Sequence, residues 1–389
     1  MHPRLDRSAK FLLLVVFLVV SMGSLTYIPF IKPLGVDLLN IVLYQKCASG
    51  TSPYLIDAAT CGDPLARGMY YPPLLFHSFA WVKGMDHRAV MRVWVPFSVL
   101  AMAGVFYAWT RLIARERSDA RSFEIPIFCG LLAAEYPFGF AIERGQTDIV
   151  AVALLTLGCY AYVRQKPAWM GVAFGIATAF KLYPIFACAI VGVGLVLAQL
   201  ARRERPRAEW LRFGLAAFGA FFGCNLLFYR DAKLYFTKVL PEVSAIVTPA
   251  ARWVHAHSFS SLVGPEHSAF TWAFCAGLVA LWGWATSRAI LRNDAPIALA
   301  GSLAPTTYFA GFTYDYNLIT TYPLLLMLFL RARKTDRWAL LALGLFAIVG
   351  DRRLFENYEA ALFNPTTHIM LQLAFLVAAA VAVAEPAPA

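Results

Sequence analysis

Glu143-Arg144-Gly145-Gln146-Thr147-Asp148 stands between two apolar stretches, about 124–141 and about 148–164. An ionised side chain at the centre of a bilayer costs roughly 3 kcal/mol or more, so charges collect at the ends of spans unless function holds them deeper. Reading this stretch as a turn at a membrane rim makes its two flanks a helical hairpin through the bilayer. The pattern repeats outward along the chain. Asp37, Lys181 and Tyr314-Asp315-Tyr316-Asn317 each fall at the end of an apolar segment. Such groups gathered on one face point to a site at the membrane rim.

Composition agrees. Of 389 residues, 60% are hydrophobic and 15% charged, and the mean hydropathy is +0.61. Soluble chains hold about 45–50% apolar and about 25% charged residues, so this is an integral membrane protein. Arg4, Arg7 and Lys10 precede an apolar run from Phe11 to about Phe30. The run is long enough to span and no small-residue cleavage site follows it, which predicts an uncleaved first helix. The net charge of +11 is not a nucleic-acid signal, because the basic residues form short clusters between spans. Arg111/Arg115/Arg117/Arg121, Arg202/Arg203/Arg205/Arg207 and Arg331/Arg333/Lys334/Arg337 mark the cytoplasmic side and face anionic headgroups.

Threading from an inside N-terminus predicts a first span at about 11–31, an outer loop at about 32–92 and a second span at about 93–113. Spans near 124–141 and 148–164 follow, with the Glu143–Asp148 turn outside. Residues 168–200 are too long for one span and basic at both flanks, so they read as two short helices meeting at an outer apex, Lys181-Leu182-Tyr183-Pro184. Spans at about 211–228 and 270–287 bracket a second outer loop, about 229–268, and the last four lie near 296–312, 317–331, 337–350 and 368–384. The stretch 72–83 is below spanning length and reads as an interfacial or re-entrant helix. The expected architecture is a single all-α domain over 1–389 with about eleven or twelve transmembrane helices. No Rossmann, Walker, H-E-x-x-H or G-x-S-x-G pattern appears, which argues against nucleotide-driven chemistry.

Cys129, Cys159, Cys188, Cys224 and Cys275 lie in spans, where a thiol is a small apolar filler. Cys47 and Cys61 share the first outer loop and pair as a disulfide if that loop faces an oxidising compartment. No Cys or His spacing resembles a metal site; His255 and His257 are poorly spaced as helical ligands.

Each polar element has a structural alternative. Asp37, in Gly35-Val36-Asp37-Leu38, reads either as a helix cap or as a rim carboxylate with a chemical role. Glu143 and Arg144 can neutralise one another while Asp148 caps the next helix, yet Gln146 and Asp148 start a span and face the bundle interior. Lys181 has no acid within four residues and needs an anionic partner or water. Tyr70-Tyr71-Pro72-Pro73 is a rigid lead-in to an apolar stretch. Aromatic residues flanking Asp315 and Asn317 are expected at a boundary, but the acid and amide between them are not.

With these residues the chain resembles the polytopic GT-C glycosyltransferases that use polyprenyl-phosphate sugars. The closest likeness is to glycosyltransferase family 87, known for polyprenol-phosphate-mannose-dependent α-mannosyltransferases. The matching elements are Gly35-x-Asp37-Leu38, Gly50-x-x-Pro53-Tyr54 and Tyr71-Pro72-Pro73-Leu74. They continue with Gly145-Gln146-x-Asp148, Gly171-x-x-x-Gly175 leading to Lys181-x-x-Pro184, and Ala304-Pro305 before Tyr314-x-Tyr316-Asn317. Two positions depart from the family pattern: Asp148, where Asn is frequent, and Tyr314–Asn317, where a Trp-His-type segment is usual. The resemblance implies a bacterial inner-membrane enzyme with a periplasm-facing site, a sugar donor on a lipid phosphate, and a glycolipid or polysaccharide acceptor. It implies neither a cofactor nor a metal.

Family logic makes Asp37 the general base for the acceptor hydroxyl. Lys181, Tyr71, Gln146, Asp148, Arg144, Asp315, Asn317 and Arg352 are the candidates to bind the donor phosphate or sugar, with Arg352 and Arg353 as further phosphate ligands. Preordered cations stabilise the departing phosphate without a metal, and single displacement on a β-linked donor gives an α-linked product. Two other classes remain open at this point: a transporter or flippase, which also shows broken helices, and a ligase or polymerase of lipid-linked glycans. Cysteine labelling is expected to find positions near Arg117, Arg205 and Lys334 inside and positions near Asp37, Gln146 and Asp315 outside. Opposite faces for Asp37 and Gln146 would rule out a shared site.

Overall fold

The computed structural model describes residues 35–48, 50–63, 68–113, 124–202, 208–242, 268–308, 315–335, 338–348 and 365–385. The first expected span, His255, His257, Tyr314, Arg352 and Arg353 lie outside them. Every regular element among the described residues is helical. By length and apolarity, four helices can cross a membrane: His87–Leu112, Pro184–Arg202, Glu209–Leu227 and Ala269–Leu291. A bent pair makes a fifth, and Asp148–Val163, Pro167–Phe180, Asn317–Arg331 and Ile369–Ala384 are shorter apolar helices. The protein is an all-α, multi-pass membrane protein.

Ahead of the first long helix, α1 (Val36–Cys47) precedes α2 (Pro73–Ser78), which a 3-10 turn at Ala80–Val82 follows. Pro73 occupies the first helical position, where its missing N–H costs nothing. The six residues of α2 are too few to span. Next, α3 (His87–Ile113) opens on Asp86, whose Oδ1 accepts the Ala89 N–H at 3.0 Å. That backbone bond is the main reason the Asp86 carboxyl sits below the usual carboxylate range.

The expected span at 124–141 is broken. Its pieces, α4 (Glu124–Ala134) and α5 (Tyr136–Arg144), meet at 52°. Glu135 is extended there (φ −63°, ψ 151°), and Pro137 has no N–H to continue the α4 ladder. After α6 (Asp148–Val163), the expected two-helix reading of 168–200 is realised as α7 (Pro167–Phe180) and α8 (Pro184–Arg202). Lys181 between them is extended (φ −142°, ψ 138°), and Pro184 biases the preceding residue away from helix.

The chain continues through α9 (Glu209–Leu227), α10 (Tyr229–Leu234) and α11 (Ser268–Leu291) to α12 (Ala295–Leu303). The helix expected at 296–312 turns 3-10 from Ala304, where Pro305 interrupts it. The one expected at 317–331 starts as a 3-10 segment, Asp315–Thr321, before α13 (Tyr322–Thr335). The last elements are α14 (Trp338–Ile348) and α15 (Pro365–Ala384).

One connected apolar core runs from Leu38 to Ala384, with Trp109, Trp282, Phe106 and Tyr322 fully buried. Trp109 keeps its indole N–H satisfied by donating to Thr156 Oγ1 at 3.1 Å. Outside this core, α9 presents Leu215, Phe218 and Leu227 at 64%, 62% and 76% exposure. A ridge of that kind suits acyl chains and not water. At the opposite side of α9 the contact with α7 is close. A Cβ built on Gly171 or Gly175 would lie 2.9 Å from the Cβ of Ala216 or Ala220 and nearer still to backbone oxygens of α9. Small residues at i and i+4 let the two backbones approach in this way, and dispersion replaces the absent hydrophobic drive.

Gly175→Val should therefore push α7 from α9. Overpacking costs about 1–3 kcal/mol, read as a lower denaturation midpoint in detergent. Gly223→Val, where nothing lies within 4 Å of an added Cβ, should stay near wild type.

Candidate active site

Five separate segments bring their polar groups to one cluster. The first is the start of α1. Gly35 (φ 74°) leads into Val36, and its N–H donates to the Glu143 carbonyl at 2.6 Å. The second is the α5–α6 turn at Gly145 (φ 68°). A Cβ on Gly145 would meet Leu38 Cβ at 2.8 Å and Gly35 Cα at 3.0 Å, so only glycine allows the two turns to touch. This contact puts Asp37, 1% exposed, beside Arg144.

Arg144 donates from Nε to Asp37 Oδ2 at 2.7 Å and from Nη2 to Oδ1 at 2.8 Å. Two parallel bonds from a planar fork fix the carboxylate's orientation as well as its charge. Asp37, and not only the sequence neighbour Glu143, is thus a partner of the Arg144 guanidinium. Gln146 Nε2 also donates to Asp37 Oδ2, while its Oε1 accepts from Lys181 Nζ at 3.2 Å. The O/N assignment of this amide follows from the network, since a carboxylate requires a donor and an ammonium an acceptor.

Lys181 is brought in by the α7–α8 break. Its Nζ lies 3.2 Å from Asp148 Oδ2 and 5.2 Å from the centre of the Tyr71 ring. The anionic partner that Lys181 needs is Asp148, 33 residues away in sequence. Asp148, 0% exposed, does not cap α6 with its side chain; Thr147 holds the cap position. Its Oδ1 instead accepts from Asn317 Nδ2 at 2.6 Å, which draws the Asp315–Thr321 segment into the cluster. The side chain of Asp315 and all of Arg352 lie outside the described residues.

Tyr70 was not among the expected site residues. Its hydroxyl donates to Asp37 Oδ1 at 3.4 Å and lies 3.2 Å from the Tyr71 hydroxyl, and the two rings lie 4.5 Å apart. Neighbouring tyrosines at a membrane boundary are so common that the pair carries no signal in sequence. Tyr54 anchors the same segment by donating to the Tyr71 carbonyl at 2.6 Å. Burial first, then Tyr235 and Asp231, pushes its phenol up, so the donor is retained at any working pH.

The surrounding loop is tied at several points. Cys47 and Cys61 are joined as a disulfide with Cα atoms 5.8 Å apart. Asn40 Nδ2 donates to Asp63 Oδ2 at 3.0 Å. His77 Nε2 meets Asp231 Oδ2 at 2.7 Å, with its ring stacked on Phe228 at 4.1 Å, joining α2 to α10. That His–Asp pair spans 154 residues and has no local signature. Among the described residues, no group of three or more His, Cys, Asp or Glu side chains is placed to hold a metal ion.

The arrangement offers an oriented carboxylate and a lysine ammonium on the two sides of one amide, with aromatic faces alongside. The model of glycosyltransferase family 87 matches residues 70–310, which include Tyr70, Tyr71, Arg144, Gln146, Asp148 and Lys181. The chain is also similar to GPI mannosyltransferase 1 of Saccharomyces cerevisiae, 23% identical over 209 residues. That alignment covers 51% of this chain and 47% of the yeast protein, so the chain spans about half the length of the curated relative it matches. On the family match, this membrane protein belongs to glycosyltransferase family 87.

Proposed function

We propose that this membrane glycosyltransferase transfers mannose from a polyprenyl-phosphate donor to a glycolipid or polysaccharide acceptor. The reaction runs on the outer, periplasmic face of a bacterial inner membrane. The observation that carries this reading is the joint placement of Asp37 and Lys181, with Gln146 between them. Mannose as the sugar rests on the family resemblance and on the yeast relative's name. Family membership favours an enzyme over a transporter.

In this reading the acceptor hydroxyl approaches Asp37. The Tyr70 hydroxyl, at 3.4 Å, is a longer contact to Asp37 than those from Arg144 and Gln146, so replacing it costs less. The acceptor oxygen attacks the anomeric carbon, its proton passes to Asp37, and the bond from that carbon to the phosphate oxygen breaks. Polyprenyl phosphate leaves with the electron pair and is stabilised by Lys181. A single displacement inverts the centre. Arg144 and Gln146 hold the carboxylate so that one lone pair meets the hydroxyl, and a positioned base contributes about 10²–10⁴-fold. Asn317 and Asp148 stand behind Lys181, and Tyr71 lies against its ammonium. The lipid tail follows the apolar exterior. Asp315 and Arg352 remain candidates for the sugar and the phosphate.

Purified protein in liposomes, supplied with a membrane glycolipid extract, should use radiolabelled polyprenyl-phosphate mannose and ignore nucleotide sugars. Use of a nucleotide sugar, or of another polyprenyl-phosphate sugar in its place, would overturn the donor assignment.

Asp37→Asn keeps the shape of the side chain and removes the proton acceptor, so turnover should fall by about 10²-fold or more with donor binding near wild type. Wild-type turnover would move the base elsewhere. Lys181→Met would strand the buried Asp148, and an unpaired buried charge costs about 3–5 kcal/mol. The balanced pair Lys181→Met with Asp148→Asn should therefore fold while binding the donor poorly. Unchanged donor affinity in that pair would remove Lys181 from the phosphate site.

A further inference from the structure

Gln146 occupies an unusual electrical position. It is 3% exposed, and its backbone is fixed by the Gly145 turn and by its N–H donating to the Ala141 carbonyl at 2.7 Å. One end of its side chain touches an anion, Asp37, and the other touches a cation, Lys181. Both neighbours demand the same orientation of the amide, N–H toward the carboxylate and C=O toward the ammonium. No charged residue suits both ends at once. A glutamate would repel Asp37, and a lysine or arginine would repel Lys181.

Without a polar group in that place, two opposite charges in a water-poor site attract one another strongly. Lys181, on a flexible four-carbon stem, is free to turn toward Asp37. A direct pair would occupy both the base and the phosphate-binding cation. The amide gives each charge one further hydrogen bond beside its own ion pair, Asp37 with Arg144 and Lys181 with Asp148, and holds the two pairs apart.

We infer that Gln146 is a positioning residue, a neutral polar spacer that holds Asp37 and Lys181 in register while keeping them from pairing. It touches neither the donor nor the reacting atoms. Lys181 is thereby left to an incoming phosphate and Asp37 to an incoming hydroxyl. The inference rests on the reading of Lys181 as the phosphate cation and of Asp37 as the base, and it changes the role expected of Gln146 from donor ligand to spacer.

Gln146→Glu tests it, because a carboxyl has the size of the amide and two states. When protonated it donates to Asp37 and presents C=O to Lys181, as the amide does. When ionised it pairs with Lys181 and repels Asp37. The probe is a short-chain polyprenyl monophosphate, whose affinity is measured across pH for wild type and variant in nanodiscs. Taking the ratio cancels the titration of the probe itself.

The variant's affinity should be about tenfold or more below wild type near pH 8 and within about threefold near pH 5, as the carboxyl regains its proton. Gln146→Met, of similar length with no hydrogen bonds, should be weaker than wild type by a ratio that does not change with pH. Transfer by Gln146→Glu relative to wild type should recover over the same range. A ratio for Gln146→Glu that is flat with pH overturns the spacer role, since a merely structural defect has no reason to titrate. If Gln146→Glu does not fold, Gln146→Met with undiminished probe affinity and undiminished transfer overturns it equally. Failure of the underlying reading looks different: the Lys181→Met, Asp148→Asn pair would then bind the probe as well as wild type does.

Discussion

The two parallel hydrogen bonds from Arg144 to Asp37 are the interaction on which the rest of the site depends. A carboxylate 1% exposed cannot stay ionised beside apolar helices without a counter-charge. The guanidinium supplies that charge and, through its planar fork, a direction. Asp148 is under the same constraint and meets it with Lys181. Arg144 and Lys181 against Asp37 and Asp148 sum to zero charge, and Gln146 links the two pairs into one lattice. Such a lattice is costly to disturb at any single member, because the remaining charge is left buried. Its rigidity is what a glycosyl transfer needs when both reaction partners must be met from fixed directions.

Around this lattice, the segment between α1 and α3 is held by specific ties as well as by apolar burial. The Cys47–Cys61 disulfide, the Asn40–Asp63 bond, the Tyr54–Tyr71 bond and the His77–Asp231 pair each join segments far apart in the loop or beyond it. Deeper in the bundle the fasteners change kind. There, Gly171 and Gly175 bring α7 onto α9 by contact alone.

Much of this was legible in the sequence because the bilayer enforces it. Apolar length, Arg clusters and proline breaks identified the helical spans and the division of 168–200 into α7 and α8. The rim charges Asp37, Arg144, Gln146, Asp148, Lys181 and Asn317 could be named before their contacts were known. Hydropathy leaves each of them unexplained. Their partners were not legible. Arg144 has Glu143 as its sequence neighbour yet meets Asp37 across 107 residues, and Lys181 finds Asp148 across 33. Pairing in a bundle is set by which turns touch, and that depends on details such as the space left by Gly145 and Gly35. Tyr70 was hidden for another reason, since aromatic residues at a boundary are expected whether or not they do chemistry. The fracture at Glu135 depended on a proline placed two residues into the next helix, inside what reads as one apolar run.

The sequence distances within the lattice also bear on how the protein is made. At about 5–20 residues per second of synthesis, the Asp37 segment leaves the ribosome several seconds before Arg144, and Asn317 follows later again, 169 residues after Asp148. For that interval Asp37 has neither its guanidinium nor the amide of Gln146. An ionised group can wait so long only where water still reaches it, and Asp37 sits in the first turn of α1, a helix too short to span a bilayer. The four charges are thus complete once Lys181 is in place, the last hydrogen bond follows with Asn317, and a nascent chain halted before Arg144 holds a carboxylate with no counter-charge beside it.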